Sequence, residues 1–371
     1  MDRMDNISSF LVIDFLKKAR EIPDVIHFEI GEPDIDPPPG VLLALEQAVK
    51  DKKIKYTESL GLLELREKIS EHYYKSYKVN ISPDRIILTV GTSGAFLVAY
   101  SICLNQNERI ALTDPSYPCY RNFAYLLNIE PCTIPVDKNT AYQLLAKGLS
   151  KEKNIKAVHI PSPSNPFGSL HTPEVMEELL HYCDKKDIYF ISDEIYHGLV
   201  YEKKEHTALE YSDKAIVING FSKTYGLPGL RIGWMILPPQ LVRKAEIVTQ
   251  NISISVPTLS QYGALAAFDY PYLEKIRESY KKRRDYLYKE INQLFKVDAP
   301  PDGAFYLWAD ITDYSQDSLL FAQELLEKCH IAVTPGCDFG KNNTEKYIRF
   351  SYTKELNHLK EGITRLQEYL L

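Results

Sequence analysis

The stretch NGFSKTYGLPGLRIGW, residues 219–234, sets one amine, Lys223, and one guanidinium, Arg231, on either side of a turn from Gly226 to Gly229. A lysine withdrawn from water is a nucleophile toward carbonyl carbon. An arginine is a permanently charged fork for phosphate or carboxylate. Alone, Lys223 reads as a solvated surface charge, the usual state of lysine, so other residues must supply the chemistry around it. In ISDEIY, Asp193 ends an apolar run, where an ionised carboxylate needs a cation or hydrogen-bond donors; otherwise it caps a short helix over 194–198. Tyr196 lies three residues on, on the same side of a helical turn. GTSGA at 91–95 opens a helix, and Thr92, Ser93 and the backbone N–H groups there can hold a phosphate. It is neither a P-loop nor a G-x-G-x-x-G fingerprint. Tyr117, between prolines in DPSYPCY, offers an aromatic face. Asn165 in PSPSNPFG precedes a proline and by itself is a turn signal. Arg349 in YIRFSY by itself is a solvated residue on the polar face of a strand. Together these segments supply an anion cradle, an aromatic face, a carboxylate, a phenol, an amide, an amine and two arginines.

The elements that carry these residues follow from periodicity. Short apolar runs, RIILTV, RIAL, AVHI, IYFIS, AIVIN and IGWMIL, each end in a loop of Gly, Ser, Asn, Asp or Pro. Helical patterns separate several of them, such as Met176, Leu179, Leu180 and Cys183 behind Thr172 and Pro173. Strand, loop, helix, strand predicts an α/β fold: a three-layer α/β/α unit with a mostly parallel sheet. Ligands of such sheets sit beyond the carboxyl ends of the strands, where the loops named above lie. Residues 10–20 read as an arm or short helix, and helical spacing over Val41 to Tyr77 breaks around Tyr56 to Gly61. A long charged helix is predicted from about Pro271, with Leu287, Ile291 and Leu294 on one side. GAFYLWADI, IAVTPGCDF and YIRFSY read as strands, followed by a helix around Leu359, Ile363 and Leu366. The expected organisation is a large domain over 41–275 and a smaller α+β domain over 276–371, completed by residues 1–40.

The chain of 371 residues is 44% hydrophobic and carries a formal charge of −6. That balance gives no basic footprint for nucleic acid. No apolar run is long enough to cross a membrane, and the N-terminal apolar patch, interrupted by Asp14, does not read as a signal peptide. Six cysteines without a C-x-x-C pair or zinc-ligand spacing point to reduced structural thiols of a cytoplasmic protein, with no metal site.

Taken in order, GEPD, YTESLGLLELR, TVGTSGA, DPSYPCY, SNPFG, SDEIY, FSKTYGLPGLRIGW, DGAFYLW and IRFSY resemble the fold-type I, pyridoxal-phosphate-dependent enzymes, specifically the class I/II aminotransferases. The resemblance runs along nearly the whole chain. It implies pyridoxal 5′-phosphate as cofactor, joined to Lys223 as an imine, and a lysine that afterwards shuttles a proton. It implies that Asp193 pairs with the pyridinium nitrogen, that Asn165 and Tyr196 hydrogen-bond the ring's phenolic oxygen, and that Tyr117 stacks on the ring. Thr92, Ser93, Ser222 and Arg231 would hold the phosphate. Arg349 would clamp the substrate α-carboxylate, with Asn165 and the backbone near Gly31 assisting. Tyr56 resembles a tyrosine that reaches the neighbouring subunit's phosphate, implying a homodimer. The implied reaction moves an amino group from an L-amino acid to a 2-oxo acid by a ping-pong cycle through pyridoxamine phosphate. A carbon–sulfur β-lyase on the same fold is the alternative, and a non-catalytic binding protein is a third reading. Three departures bear on the pocket: Gly220 stands where many relatives carry a phosphate-binding serine, Phe167 replaces a frequent threonine, and Ser93 with Gly94 gives the phosphate loop an unusual small-residue text.

Overall fold

Each of the six apolar runs becomes a strand of one sheet, because alternate residues of each run feed hydrophobic cores on opposite faces. The computed structural model describes residues 3–371. Its strands are β1 Ile26–His27, β2 Ile86–Thr89, β3 Arg109–Asp114, β4 Glu130–Pro135, β5 Ile155–Pro161, β6 Tyr189–Asp193, β7 Ile216–Gly220, β8 Gly233–Ile236, β9 Tyr306–Asp310, β10 Ile331–Ala332, β11 Thr334–Pro335 and β12 Tyr347–Ser351. Seven of them form the central sheet in the order β2-β8-β7-β6-β5-β3-β4. All neighbours are parallel except the two pairings made by β8.

The alternation is strict. Ile87, Ile110, Leu112, Ile191, Ile216, Ile218 and Met235 join a core with the helices Gly91–Cys103 and Pro239–Ile252. Leu88, Ala111, Val158, Phe190, Val217 and Trp234 join another with the helices Leu63–Tyr77 and Pro173–Lys186. Both faces are therefore covered, as a parallel sheet requires. The predicted cap of Pro173–Lys186 is present: the Thr172 side chain accepts from the Val175 N–H, and Pro173 starts the helix. β4 has no counterpart among the predicted strands. It is an edge strand whose EPCTIP text buries only Cys132 and Ile134, and its prolines are tolerated because an edge leaves N–H groups unused.

A third core gathers the remaining elements. β11, β12 and β9 form an antiparallel sheet, and β1 pairs in parallel with β10, so the start of the chain is seated on its last third. Phe28 and Phe350 meet edge to face there, 5.5 Å between ring centres. The predicted long helix spans Tyr270–Leu294, with the Asp269 side chain capping Tyr272 N–H. Its Leu273 belongs to a core of the central sheet and its Ile276, Leu287 and Ile291 to the third core, so one rigid element is fixed in both. The expected helix near the N-terminus is Leu11–Ala19, and the last runs Leu356–Leu370. No helix among the described residues is long and apolar enough to cross a membrane.

Candidate active site

The carboxyl edge of the central sheet collects most of the residues singled out above. β2 leads into Gly91, β5 into Asn165, β6 ends at Asp193 and β7 leads into Lys223. Arg231 reaches the same edge because β8 is antiparallel: Gly233 pairs with both Gly220 and Thr89, so the start of β8 lies where its neighbours finish. The turn between Lys223 and Arg231 is what reverses the chain.

The helix Gly91–Cys103 begins at Val90 without a side-chain cap, leaving its first N–H groups open. The hydroxyls of Thr92, Ser93 and Ser222 make no hydrogen bond among the described residues. The exposed Arg231 guanidinium makes one, from Nη1 to Pro228 O at 3.1 Å. Its Nη2 would lie 2.5 Å from a Cβ placed on Gly91, which has φ +63°. Glycine is needed there both for the left-handed backbone and for the closeness of the arginine. Gly220 has a similar reason: a Cβ would sit 3.2 Å from Gly233 Cα and from Thr92 Cγ2. The hydroxyl given up at Gly220 is exchanged for close contact between the sheet and the helix start.

Lys223 Nζ donates to Gly31 O at 2.7 Å. Burial and the charge of Arg349 lower its pKa to about 8, with Arg231 adding to the effect and Glu32 and Asp193 opposing it. Asp193 is 2% exposed. Burial raises its carboxyl to about 6, against hydrogen bonds from Tyr120 Oη at 2.7 Å and Ile195 N at 3.1 Å. The alternative in which Asp193 merely caps a short helix over 194–198 is not met: residues 195–198 are a run of turns, and Asp193 Oδ1 closes a tight turn onto Ile195 N. Tyr196 Oη shares a hydrogen bond of 2.9 Å with Tyr306 Oη, and burial raises its pKa well above the usual phenol value.

Arg349, 4% exposed, is held by Nη1 to Asn165 Oδ1 at 2.8 Å and by Nη2 to Glu29 O at 2.6 Å and Thr334 Oγ1 at 3.1 Å. Its Nε has no partner among the described residues, and the guanidinium lies 4.2 Å over the Tyr306 ring. Tyr117, half-buried, stacks with Phe10 at 5.9 Å between ring centres and 8° between planes. Gly31 faces Tyr306, whose hydroxyl would clash with a Cβ at that position.

Two positions lie apart. Tyr56 is 76% exposed and contacts none of these groups within the chain. Phe167 packs with Tyr142 and Trp308, in an aromatic cluster with Phe339. Tyr120 and Tyr306 were not singled out in the sequence. Tyr120 stands three residues after Tyr117, within the helix Pro118–Leu126, a spacing that places the two on neighbouring faces. Tyr306 follows from register, because it shares β9 with Trp308, the partner of Arg349.

Residues 23–366 match the model of the family described as aminotransferase class I and II. The chain is 38% identical to a (5-formylfuran-3-yl)methyl phosphate transaminase of Methanocaldococcus jannaschii, over 99% of this chain and 98% of that one. It is 34% identical to a valine–pyruvate aminotransferase of Mycobacterium tuberculosis, over 95% and 93%. The crystal structure of an aminotransferase from Mycobacterium tuberculosis superposes with a TM-score of 0.95 at 33% identity, covering 99% of this chain and 97% of that one. Sequence and architecture agree from end to end, and the chain belongs to the class I and II aminotransferases, fold-type I enzymes that use pyridoxal 5′-phosphate.

Proposed function

We propose that this aminotransferase transfers the amino group of an L-amino acid to a 2-oxo acid by a ping-pong cycle, with Lys223 as the proton-transferring amine and Arg349 as the α-carboxylate clamp. The observation that carries the reading is the placement of Lys223: it follows β7 at the sheet edge where β6 ends in Asp193, its Nζ donates to Gly31 O at 2.7 Å, and burial together with the charge of Arg349 lowers its pKa to about 8. A pKa near working pH lets one group accept and return a proton efficiently.

The donor set fits pyridoxal phosphate. An uncapped helix start, three unengaged hydroxyls and the nearby Arg231 suit a phosphate dianion. Asp193, buried and without a direct cation contact among the described residues, suits a protonated ring nitrogen. When bound, the cofactor supplies the carbonyl carbon that takes up the amino group and an electron-accepting ring, and it stores the amino group between the two half-reactions. The chain's own work is then positional and protonic. Thr92, Ser93, Ser222 and Arg231 hold the phosphate; Tyr117 covers one ring face; Asn165 and Tyr196 hold the ring oxygen. Arg349, already braced by Asn165 and Thr334, orients the substrate carboxylate with help from the backbone at Gly31. Lys223 moves the proton at Cα.

In this reading 41–275 carries the cofactor loops, while 276–371 with 1–40 carries Arg349 and the wall around Gly31. Tyr56 serves a second subunit, which accounts for its exposure, in a cytoplasmic homodimer.

Two measurements test the proposal. Borohydride reduction of the loaded protein followed by peptide mass mapping should leave the cofactor mass on the peptide containing Lys223, and on no other. Single amino acids added to the loaded protein should change its visible absorption, and a 2-oxo acid should restore it. A spectrum unmoved by every amino acid overturns amino transfer, and ammonia and pyruvate released without an acceptor would signal β-elimination instead.

A further inference from the structure

Next to Asp193 in the chain lies a buried polar group that the proposed reaction does not use. Glu194 follows Asp193 and is wholly buried. Its Oε1 accepts from Ser192 Oγ at 3.1 Å, Thr207 Oγ1 at 3.0 Å and Ala208 N at 2.9 Å. Its Oε2 has no hydrogen-bond donor among the described residues and faces His197 Nδ1 at 3.5 Å. Tyr77 Oη donates to Glu205 Oε1 at 3.1 Å, so the hydrogen between Tyr77 Oη and His197 Nδ1, 2.8 Å apart, sits on Nδ1. Glu205 Oε2 in turn accepts from Gly198 N at 2.6 Å.

The same histidine is tied to the lysine through the main chain. Thr224, next after Lys223, donates its hydroxyl to the His197 carbonyl. Gly198 has φ +87°, and a Cβ there would lie 2.5 Å from Thr224 Cγ2, so the backbone after His197 runs in direct contact with that threonine. The loop is closed on itself by His197 N to Glu194 O at 2.9 Å. One residue therefore meets the neighbour of each of the two site groups: the His197 ring faces Glu194, which follows Asp193, and the His197 carbonyl accepts from Thr224, which follows Lys223.

We infer that His197 is a positioning residue: through Glu194 and Thr224 it fixes Lys223 relative to Asp193, and so sets both the geometry and the proton affinity of the lysine. This rests on the reading of Lys223 and Asp193 given above. The charged and titratable groups around the ring are Asp193, Glu194, Glu205, Tyr77 and His72, the last held neutral by burial with its pKa lowered to about 4. Beyond them a cleft of about 370 Å³ also exposes Lys203, Lys204 and Arg277. Misplacing a reacting group by about 1 Å can cost on the order of 100-fold in rate, so a brace of this kind has a measurable consequence.

The test uses the full-length, cofactor-loaded protein and three variants: His197→Ala, His197→Asn, whose amide can stand in for Nδ1, and Thr224→Val, which removes only the hydroxyl. The readouts are the pH midpoint of the visible absorption band without substrate, kcat and KM for the amino donor, and Tm. The expectation for His197→Ala is a midpoint moved by about one pH unit, kcat lowered roughly 10- to 100-fold and KM within about threefold of the parent. His197→Asn should recover most of both effects, and Thr224→Val should move the midpoint in the same direction by less. A folded His197→Ala protein with unchanged midpoint and kcat overturns the inference, as does a loss of Tm with the midpoint unmoved. If His197→Ala does not fold, Thr224→Val decides: a moved midpoint supports the inference and an unmoved one overturns it. Lys223→Ala separates the two levels, since a parent protein without a Lys223-dependent band removes the reading of the lysine itself, and this inference with it.

Discussion

Asp193 illustrates how a buried carboxylate, in the role proposed for it, sets stability against chemistry at a single residue. Burial raises its pKa from 3.8 to about 6 in the cofactor-free chain. An acid whose folded pKa exceeds its unfolded value stabilises the fold below the unfolded pKa and loses that contribution as pH rises through the folded one. Above about pH 6 the ionised group therefore weakens the cofactor-free fold, by at most about 3 kcal/mol. Asp193→Asn removes the charge and keeps one oxygen for Ile195 N, while the Tyr120 hydroxyl, which can turn, accepts from the amide nitrogen in place of donating to Oδ2. The cofactor-free Asp193→Asn protein should then melt higher than the parent at pH 7.5, and the advantage should disappear near pH 4, where the parent's carboxyl is protonated too. Thermal melts of both proteins across that range check it. The same variant should lose cofactor affinity and turnover, because a neutral amide cannot keep a ring nitrogen protonated. A parent protein more stable than Asp193→Asn at every pH would mean that Tyr120 and Ile195 already compensate the anion.

The elements explain why glycine occupies three positions where strands and helix converge. Cβ atoms at Gly91, Gly220 and Gly233 would each crowd a neighbour: the Arg231 guanidinium at 2.5 Å, Thr92 Cγ2 and Gly233 Cα at 3.2 Å, and Asn219 O at 2.9 Å, respectively. At Gly91 the backbone is also left-handed, so Gly91→Ala should cost about 1–2 kcal/mol of stability and weaken cofactor affinity about tenfold or more by displacing Arg231. Equilibrium unfolding and cofactor titration measure the two effects separately. Legibility in the sequence divides along similar lines. The six strands buried on both faces announce themselves as unbroken apolar runs, whereas β4, exposed on one face, alternates exposed residues with the buried Cys132 and Ile134 and carries no such signature. Lys223, Asp193 and Arg231 are readable because each follows or precedes a strand end. Tyr120 and Tyr306 are not, since their roles depend on which neighbouring strand or helix they face, and local spacing does not encode that. His197 is hidden for a related reason: its partners Tyr77, Glu205 and Thr224 come from three separate segments that only the packed chain brings together.

At the scale of the molecule the surface near the N-terminal third is unusual for an isolated chain. Leu42, Leu43, Ile54 and Tyr56 are all more than half exposed within a short stretch of sequence, and grouped exposed apolar residues mark a surface for association. A symmetric dimer that covers this stretch would bury Tyr56 while delivering its hydroxyl to the partner's phosphate, so each site would be built from both chains. Complementation tests this arrangement without relying on loss of activity alone. Lys223→Ala and Tyr56→Ala proteins should each be nearly inactive. Unfolded together and refolded as a mixture, they should form heterodimers in which one site combines the intact Lys223 of one chain with the intact Tyr56 of the other. Equal mixing makes half of the dimers mixed, each with one complete site, so activity should return to roughly a quarter of the parent's. If Tyr56 serves its own chain instead, no site in the mixed dimer is complete and activity stays at the level of the separate variants, even where sedimentation shows that dimers have formed.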